Sequence, residues 1–211
     1  MNQSNSKIII TTSRNPSSSL LKFTKEIKKF FPSAKRLNRG NKFLKSLMYF
    51  CLSQQVTDLL IIYEHRGVPN SLIISHLPTG PTVFFRLSNI IINVPKKNIN
   101  IPRNFPILII QNLTSPLGKR LTSVFKSLFR TPTFNSKNVV ILKGSGNIIS
   151  CHYYWFERKS NLKSDILIYE ILPSFDLFPY KISLGILFEK KQNIEWSTNS
   201  FINTYKKKFF F

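Results

Sequence analysis

Small polar side chains and a basic side chain occur together where the sequence predicts the start of a first helix. Ser13, Arg14, Asn15 and Ser17 surround Pro16 there, and no acidic residue lies in the predicted first turn. A helix start has free backbone N–H groups and the positive end of the helix dipole, which together favour phosphate. An ordinary cap beside a solvated charge would use the same residue types. The chemistry predicted here is phosphate binding, with simple capping as the alternative.

A second predicted helix start has the same character about a hundred residues later. Thr114 and Ser115 precede Pro116, and Lys119 and Arg120 follow within the first turns. Serine or threonine at the cap and proline at the first helical position are typical of helix starts. The same two interpretations, phosphate binding or capping alone, apply to this site.

Further basic residues cluster away from the predicted helix starts and are candidate contacts with RNA phosphates. A solvated turn is the alternative for the loop, and phosphate contacts of this kind position a nucleic acid without reading its sequence. The candidates are Lys35, Arg36 and Arg39 in a loop, His65 and Arg66 at a predicted hairpin tip, and Lys206, Lys207 and Lys208 in a basic aromatic tail at residues 205–211.

The overall charge favours a polyanionic partner. The chain has 31 Lys and Arg residues against nine Asp and Glu residues, a formal net charge of +22. Between Glu64 and Glu157 there is no acidic residue. A bias towards AT-rich codons would favour Lys over Arg but would not deplete acids. Such a chain repels itself unless it meets a polyanion, and nucleic acid is the first candidate.

The residues of common catalytic motifs are present only in fragments, so we predict no enzyme. Gly118 and Lys119 partly match a phosphate-cradling NTPase loop, but that motif requires an earlier Gly and a following Ser or Thr. Leu113 and Arg120 stand in those positions. With three His and nine carboxylates in the chain, no catalytic residue and no cofactor is predicted.

The two cysteines are predicted to be buried free thiols. Cys51 and Cys151 fit neither a disulfide framework nor a metal-ligand spacing, so no metal site is predicted. Because neighbours on a strand face opposite ways, Cys151 and His152 are not expected to meet. No apolar run approaches the ~20 residues of a membrane span. The polar start of the chain is a poor secretory leader, and we expect an intracellular soluble protein.

The elements that must position these residues form two similar halves. In the first half, at residues 7–95, the pattern predicts a strand followed by an amphipathic helix that begins at Pro16, then a basic loop and a second helix. A β-hairpin and two further strands complete it. The predicted ranges are strand 7–12, helix 16–31, loop 33–41, helix 42–53, hairpin strands 58–63 and 71–76, and strands 82–87 and 90–94.

After a connector at residues 96–106, residues 107–204 repeat the same order: strand and helix at 106–128, then hairpin strands at 139–143 and 148–154. The helix at 42–53 has no clear counterpart in the second half. We therefore predict an α/β (α+β) fold, a single domain of two pseudo-repeated halves with strands and packed helices in each. Tyr153, Tyr154, Trp155 and Phe156 could stack on bases, but strand alternation places at least half of them in the core.

Four segments of the sequence resemble the Brix domain of ribosome-assembly factors, and the resemblance covers nearly the whole chain. The motifs are ITTSRNPSS, FTKEIKKFFPSAKRLNRG, TDLLIIYEHRGVPNSLIISHLPTGPTVFFRLSN and LTSPLGKRLTSVFKSLF. NRG at 38–40, EHRGVP at 64–69, LGKR at 117–120 and the ending IEW…NTYKKKFFF are most similar to the branch that serves the U-three small nucleolar ribonucleoprotein. One departure is LPSF at 172–175, where the family usually has Gly-Pro-Arg-Phe.

The resemblance implies a non-enzymatic RNA-binding factor of the small-subunit processome in the nucleus and nucleolus. The implied RNA partners are the U-three small nucleolar RNA and pre-ribosomal RNA, which such proteins help to pair before early cleavage of the 18S precursor. The implied protein partners are of the Imp-three and M-phase phosphoprotein ten types. A Brix factor of the large subunit, or a basic protein-binding scaffold without RNA contact, is the alternative.

Overall fold

The computed structural model describes residues 6–92, 104–158, 166–187 and 193–198. The first-half elements are β1 (Ile8–Thr12), α1 (Ser18–Ile27), a 3₁₀ turn (Lys28–Phe30), β2 (Lys35–Arg36), α2 (Leu44–Ser53), β3 (Asp58–His65), β4 (Val68–His76) and β5 (Thr82–Ile91). The second-half elements are β6 (Ile107–Gln111), α3 (Pro116–Leu128), β7 (Asn138–Ser145), β8 (Ile148–Arg158), β9 (Ile166–Leu184) and β10 (Asn193–Ser197).

All ten of these strands belong to one sheet whose order displays the two halves. The order is β2-β1-β3-β4-β5-β9-β8-β7-β6, with β10 paired to β9. In each half a strand, a helix and a strand give a parallel pair, β1 with β3 and β6 with β7. Antiparallel hairpins follow, and the halves join through the antiparallel pair of β5 and β9. The predicted α/β fold of two related halves is confirmed.

The start of α1 differs from the prediction. Pro16 was expected at the first helical position, but the helix begins at Ser18 and Ser17 is its cap, accepting a hydrogen bond from the Leu20 N–H at 3.2 Å. Asn15 has a positive φ of 48°, which turns the chain before the proline. The start of α3 is as predicted, with Ser115 as cap and Pro116 inside the first turn.

The three helices lie on two faces of the sheet. Alternate strand residues point to opposite sides, so neighbouring residues of one strand pack against different helices. Ile8 and Ile10 of β1 belong to the core that also buries α1 and α3, and this core spans both halves. Ile9 belongs to a second core, where Leu47 and Met48 of α2 are buried. α2 therefore covers the face opposite α1 and α3, and in the described residues it is the helix without a counterpart in the other half, as predicted.

The predicted break between strands 82–87 and 90–94 is wrong. β5 runs without interruption from Thr82 to Ile91, and its pairing with β9 shifts register between Phe84 and Phe85 and again between Ser88 and Ile91. Asn89, with a φ of 50°, lies at the second of these shifts. Most of the predicted connector at 96–106, residues 96–103, lies outside the described residues. No helix in the described ranges is long and apolar enough to cross a membrane.

Candidate nucleic-acid interface

The start of α1 already holds a carboxylate of the chain itself. The Ser17 N–H donates to Glu64 Oε1 at 2.9 Å, and the Ser17 hydroxyl donates to the other oxygen of the same carboxylate. The Ser13 N–H is also used, by the Ile62 carbonyl at 2.9 Å. Phosphate binding by Ser13, Asn15 and Ser17 stays a prediction. An incoming phosphate would have to displace Glu64 or bind beside it.

The hairpin of β3 and β4 brings its basic tip to the same helix start. Glu64 is near the end of β3, and the Ser17 hydroxyl also lies 3.4 Å from the Gly67 carbonyl. Arg66 at the tip is exposed and His65 is half-buried. The structure therefore places the predicted contacts Arg14 and Arg66 at one end of the first half, although they are far apart in sequence.

The basic loop after α1 splits into surface and interior residues. Lys35 is exposed on β2 at the edge of the sheet, and Arg36 Nη2 donates to Asn38 Oδ1 at 3.2 Å. Arg39 is only 5 % exposed, unlike Lys35, and a contact of its buried guanidinium group with RNA stays a prediction. Its Nε donates to the Lys42 carbonyl at 2.9 Å.

The environment of Arg39 lowers the pKa of its guanidinium group. Burial lowers the pKa of Arg39, while a hydrogen bond with Tyr63 opposes that shift and the nearby charge of Arg14 adds to it. The guanidinium group of Arg14 lies 4.7 Å from the ring centre of Phe43. Arg14 and Arg39 are thus two cations of one cluster at the beginning of α2.

The start of α3 differs from that of α1 in its charged contacts. The Gly118 N–H donates to Ser115 Oγ at 3.0 Å, and Thr114 and Lys119 are exposed. Arg120 is paired with Glu195 of β10 through two hydrogen bonds, Nε to Oε1 at 2.7 Å and Nη2 to Oε2 at 2.9 Å. Of the two predicted basic contacts at this helix, Lys119 is the one whose charge is exposed.

The two predicted phosphate sites are not brought together. β1 and β6, which lead into α1 and α3, lie seven strand spacings apart in the sheet. At about 4.8 Å per spacing, this is on the order of 30 Å. The remaining predicted contacts, Lys206, Lys207 and Lys208, lie outside the described residues.

The aromatic residues of β8 divide as strand alternation predicts. Tyr153 is 1 % exposed in the core, and Trp155, on the same face of β8, packs against that core, whereas Tyr154 lies on the other face. Burial raises the pKa of Tyr153 to about 12. Tyr154 stacks on His152 with ring centres 6.0 Å apart, and Trp155 stacks on Tyr169 at 5.6 Å. These two partly exposed rings are thus already engaged within the sheet.

A group of three polar residues, which the sequence did not predict, links the halves. His76 of β4 contacts Asp58 Oδ1 through Nδ1, and its Nε2 lies 3.1 Å from Ser127 Oγ at the end of α3. They line a cleft of about 750 Å³. Because β3, β4 and α3 supply one residue each, no local pattern in the sequence indicated this group.

Asp58, His76 and Ser127 are ordered like the acid, base and hydroxyl of a catalytic triad. The hydrogen bonds of Ser127 do not favour its action as a nucleophile. The Ser127 hydroxyl lies 2.8 Å from the Val124 carbonyl and 3.1 Å from the Nε2 of His76, so the carbonyl competes with the imidazole for the single hydroxyl proton. Ser127 also lies in the last turn of α3, where the helix dipole disfavours a developing oxyanion. We interpret the group as a contact between the two halves.

The two thiols are free and buried, as predicted. Burial raises the pKa of Cys51 to about 11 and raises that of Cys151 well above its ordinary value. Cys151 and His152 lie on opposite faces of β8, since Cys151 is in the core and His152 is hydrogen-bonded to Glu170 at 2.8 Å. Among the described residues no group of three or more His, Cys, Asp or Glu could hold a metal ion.

Comparisons with known proteins agree with this architecture. The family model of the Brix domain matches residues 13–181. The chain is 40 % identical over 204 residues to U3 small nucleolar ribonucleoprotein protein IMP4 of Saccharomyces cerevisiae, covering 96 % of this chain and 69 % of that protein. It is 37 % identical over 206 residues to the protein of the same name from Homo sapiens, covering 97 % and 70 %.

A solved structure also shares the fold. A probable ribosomal biogenesis protein from Aeropyrum pernix K1 superposes with a TM-score of 0.56, covering 82 % of this chain and 96 % of that one, at 17 % sequence identity. The resemblance to the Brix domain, and within it to the U-three branch named Imp-four, is confirmed. The chain belongs to the Brix domain family, with a sequence similar to the IMP4 proteins of yeast and mammals.

Proposed function

We propose that this chain is a non-enzymatic RNA-binding subunit of the U-three small nucleolar ribonucleoprotein in the small-subunit processome. The observation that carries the proposal is the similarity to IMP4 proteins along 96 % of the chain. In this role the chain helps the U-three RNA pair with pre-ribosomal RNA and supports early processing of the 18S precursor. The proposed location is the nucleolus, and the proposed protein partners are of the Imp-three and M-phase phosphoprotein ten types.

The charge of the chain gives this role a physical basis. Two RNA strands that must pair repel each other through their phosphates. A protein with a formal charge of +22 lowers that repulsion when both strands lie against it. A short intermolecular duplex then forms faster and lasts longer, and binding weakens as salt rises because bound counterions are released.

The arrangement of the basic residues supports two separate contacts. Arg14, Lys35 and Arg66 are exposed in the first half, and Lys119 is exposed in the second half. The two helix starts near which these groups lie are separated by seven strand spacings, on the order of 30 Å along the sheet. Two RNA segments, or two parts of one folded RNA, can therefore bind without competing for the same side chains.

The test combines binding in solution with recovery from cells. The full chain is titrated against U-three RNA and against a pre-ribosomal fragment at low and moderate salt, and the affinity is expected to fall steeply between the two salt concentrations. The tagged chain is then recovered from cells and its RNA is sequenced. U-three RNA and small-subunit precursors are expected. An affinity that does not change with salt would contradict the electrostatic mechanism.

Two other results would replace the proposal. Recovery of large-subunit precursors without U-three RNA would assign the chain to the other ribosomal subunit. Tight binding to an acidic protein partner, with no measurable affinity for RNA at low salt, would make the chain a protein-binding scaffold.

A further inference from the structure

Three aromatic rings on α2 or directly before it are exposed to solvent. The exposed fraction is 68 % for Phe43, 63 % for Tyr49 and 42 % for Phe50. A surface helix normally places such rings against the core, and here Leu47, Met48 and Cys51 fill that role (all three are buried). Phe43, Tyr49 and Phe50 are therefore not part of the apolar core under α2.

Each of the three rings has a cation beside it. Arg14 lies 4.7 Å from the ring centre of Phe43, Lys42 lies 5.8 Å from that of Phe50, and Lys45 lies 6.0 Å from that of Tyr49. Exposed rings interleaved with cations are the combination with which proteins bind single-stranded nucleic acid, because bases stack on rings while cations meet phosphates.

The start of α2 also differs from the other two helix starts. α1 and α3 are capped by Ser17 and Ser115, but the residue before α2 is Phe43, which makes no side-chain capping bond. No acidic residue lies in its first turn. The first N–H groups of α2 therefore have no side-chain acceptor from the capping position, and such groups favour an anion.

Arg39 provides an independent sign of an anion at this place. It is 5 % exposed and is held next to the helix start by its Nε bond to the Lys42 carbonyl at 2.9 Å. The guanidinium group also interacts with Tyr63, and its Nη1 is buried with no hydrogen-bond partner among the described residues. Buried donors nearly always have an acceptor, and a guanidinium group matches phosphate oxygens well.

We propose that α2 binds a segment of single-stranded RNA. A phosphate lies at the start of α2 beside Arg14 and Arg39, and neighbouring bases stack on Phe43, Tyr49 and Phe50. The proposal rests on the proposed function, since it names the part of the fold that meets an unpaired strand. An acidic peptide would satisfy the cations but would leave the three rings without partners, whereas RNA supplies both phosphates and bases.

The experiment measures fluorescence anisotropy of a labelled oligouridylate with the full chain. The test variant combines Phe43→Leu, Tyr49→Leu and Phe50→Leu, which removes the rings and retains apolar side chains without changing the charge. Affinity for the oligouridylate is expected to fall at least about tenfold. The salt dependence should stay the same because no cation is removed.

Three controls isolate the rings. Phe134→Leu removes an exposed ring of the second half and should leave the affinity unchanged. A variant with Phe43→Tyr, Tyr49→Phe and Phe50→Tyr keeps all three rings and should bind like the original chain. A blunt RNA duplex should bind the ring-free and original chains equally, since its bases are already stacked. Urea unfolding of each variant checks that it is folded.

Oligouridylate binding by the ring-free variant that equals that of the original chain would overturn the proposal. Unchanged oligouridylate binding combined with weaker binding of polyglutamate would assign the helix to an acidic protein partner and would also overturn it. If the original chain binds U-three RNA in either case, the proposed function stands. If the original chain binds no RNA even at low salt, the proposed function fails as well.

Discussion

The two halves of this protein repeat one fold, but the carboxylate near the start of the repeated helix makes a different contact in each half. α1 and α3 each begin at a serine whose hydroxyl accepts a bond from the third residue along, Leu20 or Gly118. In the first half a carboxylate from the hairpin, Glu64, also binds this start. In the second half the carboxylate of Glu195 instead pairs with Arg120 on the helix surface.

The difference shows which features the fold requires. Both halves keep the cap and the buried apolar face of the helix, since neither helix would be stable without them. The charged contacts differ between the halves, and α2 was found in only one half of the described chain. The features that vary between the halves are therefore the charged contacts at the helix starts and the presence of α2.

The largest expected effect concerns the contact between the halves. His76→Ala should lower the free energy of unfolding by about 3 kcal/mol, because it leaves a buried carboxylate without its ring partner. Asp58, that carboxylate, is 2 % exposed. Ser127→Ala keeps the pair of His76 and Asp58, removes the bond across the halves and the bond to the Val124 carbonyl, and should lower the free energy of unfolding by about 1 kcal/mol. Urea unfolding measures both effects.

His152→Ala is the matched control. His152 and Glu170 form a similar pair within the second half, but their side chains are 36 % and 44 % exposed. Such a pair contributes less than about 1 kcal/mol. Equal losses for His76→Ala and His152→Ala would show that the contacts of His76 with Asp58 and Ser127 add no stability beyond that of a surface pair.

The next effect compares one buried thiol in each half. Burial raises the pKa of Cys51 to about 11 and that of Cys151 well above its ordinary value of 9.0. Below pH 9 both thiols are protonated in the folded and unfolded chains. Above it the unfolded thiols ionise first, so the free energy of unfolding falls by about 1.4 kcal/mol per pH unit for each thiol.

Urea unfolding between pH 8 and 11 under reducing conditions measures this slope. Cys51→Ala and Cys151→Ala should each make the slope shallower, since one fewer thiol ionises on unfolding. Identical slopes in the original chain and both variants would mean that other groups control stability at high pH.

The sequence was sufficient to predict helices and hairpins, which form between residues that are close along the chain. Apolar residues at helical spacing predicted α1, and the repeat predicted α3 and the two hairpins. Even so, Pro16 and Pro116, a hundred residues apart, have different roles, since Asn15 takes a positive φ and moves the cap to Ser17. Backbone turns of this kind depend on local geometry that residue type alone does not determine.

The candidate site was less predictable because its decisive contacts join distant residues. Glu64 reaches Ser17 across 47 residues, and Ser127 reaches His76 across 51. The loop at 33–41 was correctly identified as basic, but the sequence could not distinguish exposed Lys35 from buried Arg39. Burial depends on the neighbouring elements, here Tyr63 of β3.

A smaller effect tests the two carboxylates directly. Glu64→Ala should lower the free energy of unfolding by about 1 to 2 kcal/mol, since Ser17 loses two bonds at the start of α1. Glu195→Ala should change it by less than about 1 kcal/mol because its pair with Arg120 is partly exposed. A double-mutant cycle with Ser17→Ala should show coupling to Glu64. A coupling energy of zero would mean that the carboxylate does not stabilise α1.

The smallest expected effect distinguishes two neighbouring cations on α3. If Lys119 meets a phosphate, Lys119→Ala should reduce the slope of log affinity against log salt by about 0.7 to 0.9. Arg120→Ala should reduce the slope by less, because the Nε and Nη2 of Arg120 already donate to Glu195. Titration of U-three RNA at several salt concentrations measures both slopes. A larger change for Arg120 would mean that RNA displaces Glu195 on binding, and the second half would then expose its cation only when RNA is present.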